Sequence, residues 1–273
     1  MAEKKMQILF VGDVVGEMGM GMVDQYLPLL KKDLKPQLTI VNGENATKVG
    51  RGINEKLFKQ IMKDGADVVT LGNHAWNNAD IFDFIDDTKK LVRPLNYPGK
   101  DVPGNGYCEL NINGVKAAVI NLQGRIFMEE TDDPFAKIDE LIMHLKAEKF
   151  TVIFVDMHAE TTSEKKAMAM YLDGRVSAVV GTHTHVQTND AHILKKGTAF
   201  LTDVGMTGPD DGVIGMQYEP VINKFLTSRP NRFEVETNGD GILSACLIDV
   251  DKKDGHAKKI RPIMISQYQP YQS

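Results

Sequence analysis

Five short apolar runs along the chain end in the same way. QILFVGD, LTIVNGEN, DVVTLGNH, TVIFVDMH and SAVVGTHTH each read as a β-strand whose last residues turn polar. Apolar residues draw a strand into a core, and the polar residues just past its end are left at one rim. In a parallel α/β sheet the carboxyl ends of the strands share that rim, where sites form. The pattern therefore gathers Asp13, Glu44 with Asn45, Asn73 with His74, His158, and His183 with His185 along one edge.

The first half of the chain alternates strand and helix. A strand over 7–11 leads to a helical stretch around 20–32, where Pro28 is expected to bend or restart the helix. A strand over 38–41 precedes a helix running to Lys63 with Asn54 as N-cap. A strand over 68–71 leads to a helical turn over 80–86. Asn113-Gly114, between apolar runs 107–112 and 115–121, predicts a hairpin. Ile138, Leu141, Ile142 and Leu145 give a helix over 135–149, with His144 on its surface. A strand over 152–156 precedes a helix over 164–171 capped by Ser163, and a strand over 176–180 runs into the paired histidines. From about Ile193 the runs shorten (199–202, 233–237, 242–249 and 260–265, with a helix near 219–226), which predicts local pairing in a mixed second sheet. There is no Pro-, Gly- or Ser-rich linker and no repeat, so residues 1–273 are expected to form a single domain.

Composition narrows the partners. The formal net charge is −5, with acids and bases intermixed, which argues against a duplex nucleic-acid binder. A small anionic substrate remains compatible, because a bound metal makes its pocket locally positive. No apolar run is long enough to span a membrane, and the apolar stretch after the N-terminus is too short for a signal-peptide core. The expected location is cytoplasmic. Cys108 and Cys246 sit in strand-like runs and read as small buried hydrophobes rather than a disulfide framework.

Taken singly, each rim residue has a plainer reading. A lone histidine after a strand is commonly a cap, and Gly, Asn and Asp are ordinary turn residues. The two imidazoles of His183-Thr184-His185 converge only if the chain leaves its strand and bends there, because alternate strand residues face opposite sides. Five endings of one kind point instead to a metal centre. Its donors are oxygen and nitrogen without thiolate, which suits iron, manganese or zinc, and there are enough of them for two ions.

The motifs GDVVG (12–16), NGEN (42–45), LGNHAW (71–76), DMHAE (156–160) and VVGTHTHVQT (179–188) resemble those of the calcineurin-like metallophosphoesterases. With NLQGR (121–125), DDPF (132–135) and TDVGMTGP (202–209), they most resemble the bacterial YmdB-like branch, known for cyclic-nucleotide phosphodiesterase activity. The resemblance implies a four-layer α/β/β/α sandwich with two mixed sheets and helices outside. It also implies two divalent metal ions, iron or manganese first, with zinc and magnesium as further candidates. Asp13, Glu44, Asn45 and His185 would hold one metal; Glu44, Asn73, His158 and His183 would hold the other. Val15 stands where many metallophosphoesterases have a histidine ligand, an absence that the YmdB-like branch shares. His74 would be the general acid, and Asn77 replaces the acidic residue that often orients it. The implied reaction is in-line attack of a metal-bridging hydroxide on a cyclic nucleotide, 2′,3′-cyclic nucleoside monophosphates above all. The resemblance further implies a homo-oligomer.

Arg125 is a candidate to grip a phosphate oxygen, against the alternative of a surface salt bridge. Trp76, the only tryptophan, could stack on a base, against a core or pocket-wall role. The rival functions are a phosphomonoesterase or 5′-nucleotidase on the same metals, and a nucleotide-binding regulatory protein with little turnover.

Overall fold

The computed structural model describes residues 5–272. Its first half contains β1 (Lys5–Val11), β2 (Asp13–Val14), α1 (Gly16–Leu34), β3 (Leu38–Asn42), α2 (Glu55–Asp64), β4 (Val68–Thr70) and β5 (Leu91–Val92). There follow β6 (Tyr107–Ile112), β7 (Val115–Gln123), α3 (Pro134–Ala147), β8 (Val152–His158), α4 (Thr162–Leu172) and β9 (Ala178–Thr182). The remainder holds β10 (His192–Ile193), β11 (Ala199–Leu201), β12 (Met206–Pro209), α5 (Tyr218–Thr227), β13 (Gly241–Asp251) and β14 (Ala257–Ile265).

The strands form two mixed sheets. One runs β2-β12-β13-β1-β3-β4-β5, with β14 on β13; the other runs β10-β11-β9-β8-β7-β6. Strand alternation builds three apolar layers from them. Ile8 and Phe10 face Phe154 and Val180 between the sheets, where the Phe10 and Phe154 rings meet edge-on at 4.9 Å. Leu9 and Val11 turn the other way, against Val23 and Leu27 of α1 and Ile61 of α2. Ile153, Val155 and Met157 pack on Ile138 and Leu145 of α3 and Met168 of α4. The result is the α/β/β/α sandwich.

The hairpin at Asn113-Gly114 forms, with both residues at positive φ and Ile112 opposite Val115. Asn54 caps α2 by accepting from the Leu57 backbone N–H at 3.0 Å. Cys108 and Cys246 are buried free thiols, and His144 is exposed. Among the described residues no helix is long and apolar enough to cross a membrane.

Several expectations are corrected. Pro28 neither breaks nor restarts α1, which runs unbroken through it. Pro28 lies on the exposed face, where the carbonyl it orphans is free to bind water. Helix α4 starts at Thr162 with Thr161 at the cap position, so Ser163 lies inside its first turn. The helical turn over 80–86 does form, as a pair of short 3₁₀ segments. The run over 233–237 is not a strand; Val235 makes one bridge to Met216. The C-terminal strands also do not form a sheet of their own. β13 pairs antiparallel with β1 over Ala245–Asp251, whereas β10 and β11 extend the other sheet beside β9.

Candidate metal centre

The inward faces of β3, β4, β8 and β9 carry apolar residues between the sheets and then change character toward the rim. Ile40, Val68, Phe154 and Val180 lie in the inter-sheet core, and the next residues on the same faces are Asn42, Thr70, Asp156 and Thr182. These four polar side chains are fully buried and satisfy one another. Thr70 and Thr182 donate to the two oxygens of Asp156 at 2.6 Å each, and the Asn42 amide donates at 3.0 Å. Burial pushes the Asp156 carboxyl up to about 6, against the pull of His158 and these hydrogen bonds.

This layer sets the tautomer of His158. The Thr182 hydroxyl spends its proton on Asp156, so it accepts from His158 Nδ1–H at 2.9 Å. In the neutral ring, Nε2 is then a bare lone pair aimed at the rim. Three potential ligand atoms converge on it: Asn73 Oδ1 at 2.9 Å, His183 Nδ1 at 3.1 Å and Glu44 Oε1 at 3.3 Å. A single N–H could satisfy one of those contacts, not three. The other group meets the same oxygen of Glu44. The Asn45 amide is 3.0 Å from Glu44 Oε1 and 3.3 Å from His185 Nε2, which is 3.5 Å from Asp13 Oδ2. Glu44 is thus shared between two clusters, and its second oxygen accepts from the His74 backbone N–H at 3.1 Å.

His183 and His185 reach these positions because the chain bends sharply after β9, with φ of 97° and 66° respectively. His183 N–H donates to Asp13 Oδ2 at 2.9 Å, and His185 Nδ1 meets the Ile214 carbonyl at 2.9 Å. Between them, Thr184 donates through both its backbone and its hydroxyl to Asp203 Oδ2, at 3.1 and 2.7 Å. Asp203 in turn holds Lys165 Nζ at 2.6 Å, with both side chains fully buried. Neither Asp203 nor Lys165 was singled out from the sequence. Asp156, a carboxylate inside an apolar run, carried the one readable signal of this supporting layer.

The residues fit divalent metal. Asp13 Oδ1 and Asn45 Oδ1 are buried acceptors with no partner among the described residues. Glu44, His158 and His183 bring ligand atoms within 4.8 Å of one another. Burial and the His158 charge hold His183 down at about 3, which keeps its ring neutral, and burial likewise lowers His185. Burial opposes a charge on His158, but the Glu44 carboxylate overcomes it and lifts the imidazole to about 9. Burial pushes Asp13 up, with Glu44 adding like charge. A cation among these groups would relieve both imbalances, competing with protons for the same atoms.

Gly72 leaves room for this convergence. A Cβ there would stand 2.4 Å from both Glu44 Oε2 and His158 Nε2. Gly72→Ala is therefore expected to displace a ligand and weaken metal binding about 10–100-fold, the usual effect of disturbing a ligand's support. Metal analysis after dialysis checks this; full retention of metal would show that the neighbours give way.

His74 sits beside the centre, half-buried, with Nδ1 3.1 Å from Asn77 Oδ1. Trp76 packs against Tyr97 and Phe82, at ring separations of 5.3 and 5.1 Å, and lines a cavity beside Asn73. Arg125 is exposed on the wall of a cavity that none of the predicted ligands lines, and it makes no ion pair among the described residues.

Two packed sheets with a histidine- and carboxylate-rich rim define the calcineurin-like metallophosphoesterase fold. The likeness extends to a Haemophilus influenzae NAD nucleotidase, 14% identical with a TM-score of 0.62 over 96% of this chain and 56% of that one, where it is a likeness of fold alone. The chain belongs to the YmdB-like protein family, which it matches over residues 9–263. It is 53% identical to the 2′,3′-cyclic-nucleotide 2′-phosphodiesterase of Bacillus subtilis (strain 168), over 96% of this chain and 97% of that protein. A solved phosphatase of Mycoplasma pneumoniae is 35% identical, with a TM-score of 0.90 over 96% of this chain and 94% of that one. A hypothetical protein from Thermus thermophilus is 41% identical, with a TM-score of 0.88 over 96% of this chain and 99% of that one.

Proposed function

We propose that the protein is a metal-dependent phosphodiesterase that hydrolyses 2′,3′-cyclic nucleoside monophosphates. The observation that carries this reading is the sharing of Glu44 between two clusters, Asp13–Asn45–His185 and Asn73–His158–His183. The activity printed for the Bacillus relative supports the substrate class. Asp13, Glu44, Asn45 and His185 would hold one ion, and Glu44, Asn73, His158 and His183 the other. An oxygen- and nitrogen-only donor set suits iron, manganese or zinc. Two bound divalent ions supply acidified water and neutralise phosphate charge.

The chain's own residues complete the reaction. Water adds to phosphorus and the P–O2′ bond breaks, leaving a nucleoside 3′-monophosphate. O2′ departs as an alcohol with a proton from the His74 ring, and the proton that the added water gives up restores that ring. Asn77 Oδ1 accepts from Nδ1–H, which leaves Nε2–H to be given up. The Asp156–Thr182–His158 chain keeps the opposite tautomeric face of the centre fixed.

Turnover of 2′,3′-cyclic AMP by manganese-reconstituted protein, with 3′,5′-cyclic AMP and AMP alongside, tests the reading. Preference for the 2′,3′ ring supports it. Preference for AMP replaces it with a phosphomonoesterase, and binding without turnover replaces it with a regulatory protein. His158→Ala is expected to lower the bound metal from about two ions per chain to about one, because it removes the atom on which one cluster converges. Two retained ions would remove His158 from the ligand set.

A further inference from the structure

A cavity of about 360 Å³ opens at the metal centre. Asn73 and His183 line it from the His158 cluster, and Phe127, Met128 and Glu129 line it from the connection between β7 and α3. That connection is held on both sides of Phe127. Before it, Gln123 ends β7 opposite His158, and the Gly124 N–H donates to the His158 carbonyl at 2.9 Å. The backbone N–H groups of Arg125 and Ile126 donate to the buried Glu164 carboxylate at 3.0 and 3.4 Å. After it, Met128 packs against the apolar layer of α3 and α4, and the Asn96 amide donates to Thr131 Oγ1 at 2.9 Å. The Met128 N–H closes a turn on the Arg125 carbonyl at 3.4 Å.

Phe127 is the third residue of that turn, with a φ of 60°. Glycine takes this conformation in a turn without strain, and a bulky side chain there is an outlier. The Phe127 ring is also 89% exposed. A single exposed apolar side chain needs no special reason. Here a strained backbone, an aromatic ring left in water and a place on a cavity shared with two ligand residues coincide. Strain of this kind persists where the surroundings hold it, and it gathers at ligand sites. A phenyl ring has no hydrogen-bonding group, so what it offers is a flat apolar face. The part of a cyclic nucleotide that matches such a face is the base, and every base has one.

We infer that Phe127 is the stacking platform for the nucleobase, and that it grips the base by its face without selecting one base over another. The inference rests on the cyclic-nucleotide reading given above. A phosphate held at Asn73 and His183 leaves the attached ribose and base the space beside them, which is the cavity that Phe127 lines.

Phe127→Gly is the discriminating variant, because glycine takes a positive φ freely and removes only the ring. A ring that served the turn alone would leave the glycine protein at least as stable and as active. A platform predicts a different result. The ratio of kcat/KM for 2′,3′-cyclic AMP to that for glycerol 1,2-cyclic phosphate, the same strained ester without a base, should fall by about 5- to 140-fold, through KM more than kcat. Phe127→Trp should restore the ratio. An unchanged ratio in Phe127→Gly overturns the inference. If that variant also sediments as a smaller species, the ring belongs to a contact between copies of the chain instead. If the wild type cleaves neither ester, the phosphodiesterase reading falls, and calorimetric titration of the manganese-loaded protein with adenosine 3′-monophosphate still decides the platform. Affinity should then be lower in Phe127→Gly by the same factor. No binding by the wild type, or equal affinity in the two forms, overturns the platform.

Discussion

Lys165→Met is expected to lower the free energy of unfolding by about 3–5 kcal/mol, the usual cost of leaving one member of a buried ion pair without its partner. Lys165 and Asp203 are both fully buried, and their charges meet at 2.6 Å. Methionine keeps the length and removes the ammonium, so Asp203 retains its charge with only neutral donors: Thr184 and the Gly205 backbone N–H at 2.8 Å. The damage reaches the metal centre, because Asp203 anchors Thr184 between two histidines whose backbones lie in the left-handed region. Metal affinity should fall together with stability. Denaturant unfolding of the metal-free protein isolates the structural part. A loss below about 1 kcal/mol, the scale of an exposed pair, would mean that water reaches Asp203 once the lysine is gone.

The rim was legible in the sequence because strand burial and chemistry are both local signals. An apolar run ending in Asp13, Glu44, Asn73, His158 or His183 states where the strand stops and which polar group is left there. The bend that brings His183 and His185 together follows from the same reasoning, and their positive φ values show it. The supporting layer was less legible. Lys165 looks like any solvated helix lysine until the fold sets it against Asp203, 38 residues away. Gln123 likewise ends a strand as an ordinary polar residue; only the register with His158 reveals where it lies.

Long-range pairing escaped local reading for the same reason. The apolar run that became β13 has the pattern of a strand, but nothing in it names β1 as its partner across nearly the whole chain. The run over 233–237 shows the reverse error. Its apolar residues would suit a strand, yet Val235 alone is buried, packed with Val15 and Met206 in a small satellite cluster. Pattern specifies that a segment can be buried; the partner that buries it is a property of the fold.

His74→Ala should reduce turnover of 2′,3′-cyclic AMP by ~10²–10⁴-fold, the contribution of a positioned general acid. Bound metal should stay near the wild-type level, because the contact between residue 74 and Glu44 runs through the backbone N–H, which alanine keeps. Those two readouts already separate an acid from a ligand, since loss of both metals would assign the imidazole to the metal centre. The leaving group provides a sharper test. The ribose O2′ leaves as a poor alkoxide and needs a proton, whereas p-nitrophenolate is stable as an anion. His74→Ala should therefore slow bis(p-nitrophenyl) phosphate hydrolysis far less than cyclic-nucleotide hydrolysis. Equal losses on both substrates would move His74 from proton donor to phosphate contact, because a group that binds the phosphoryl oxygens serves every ester alike. Asn77→Ala gives the intermediate case: it removes the acceptor 3.1 Å from Nδ1 and should impair only the substrate that needs the acid.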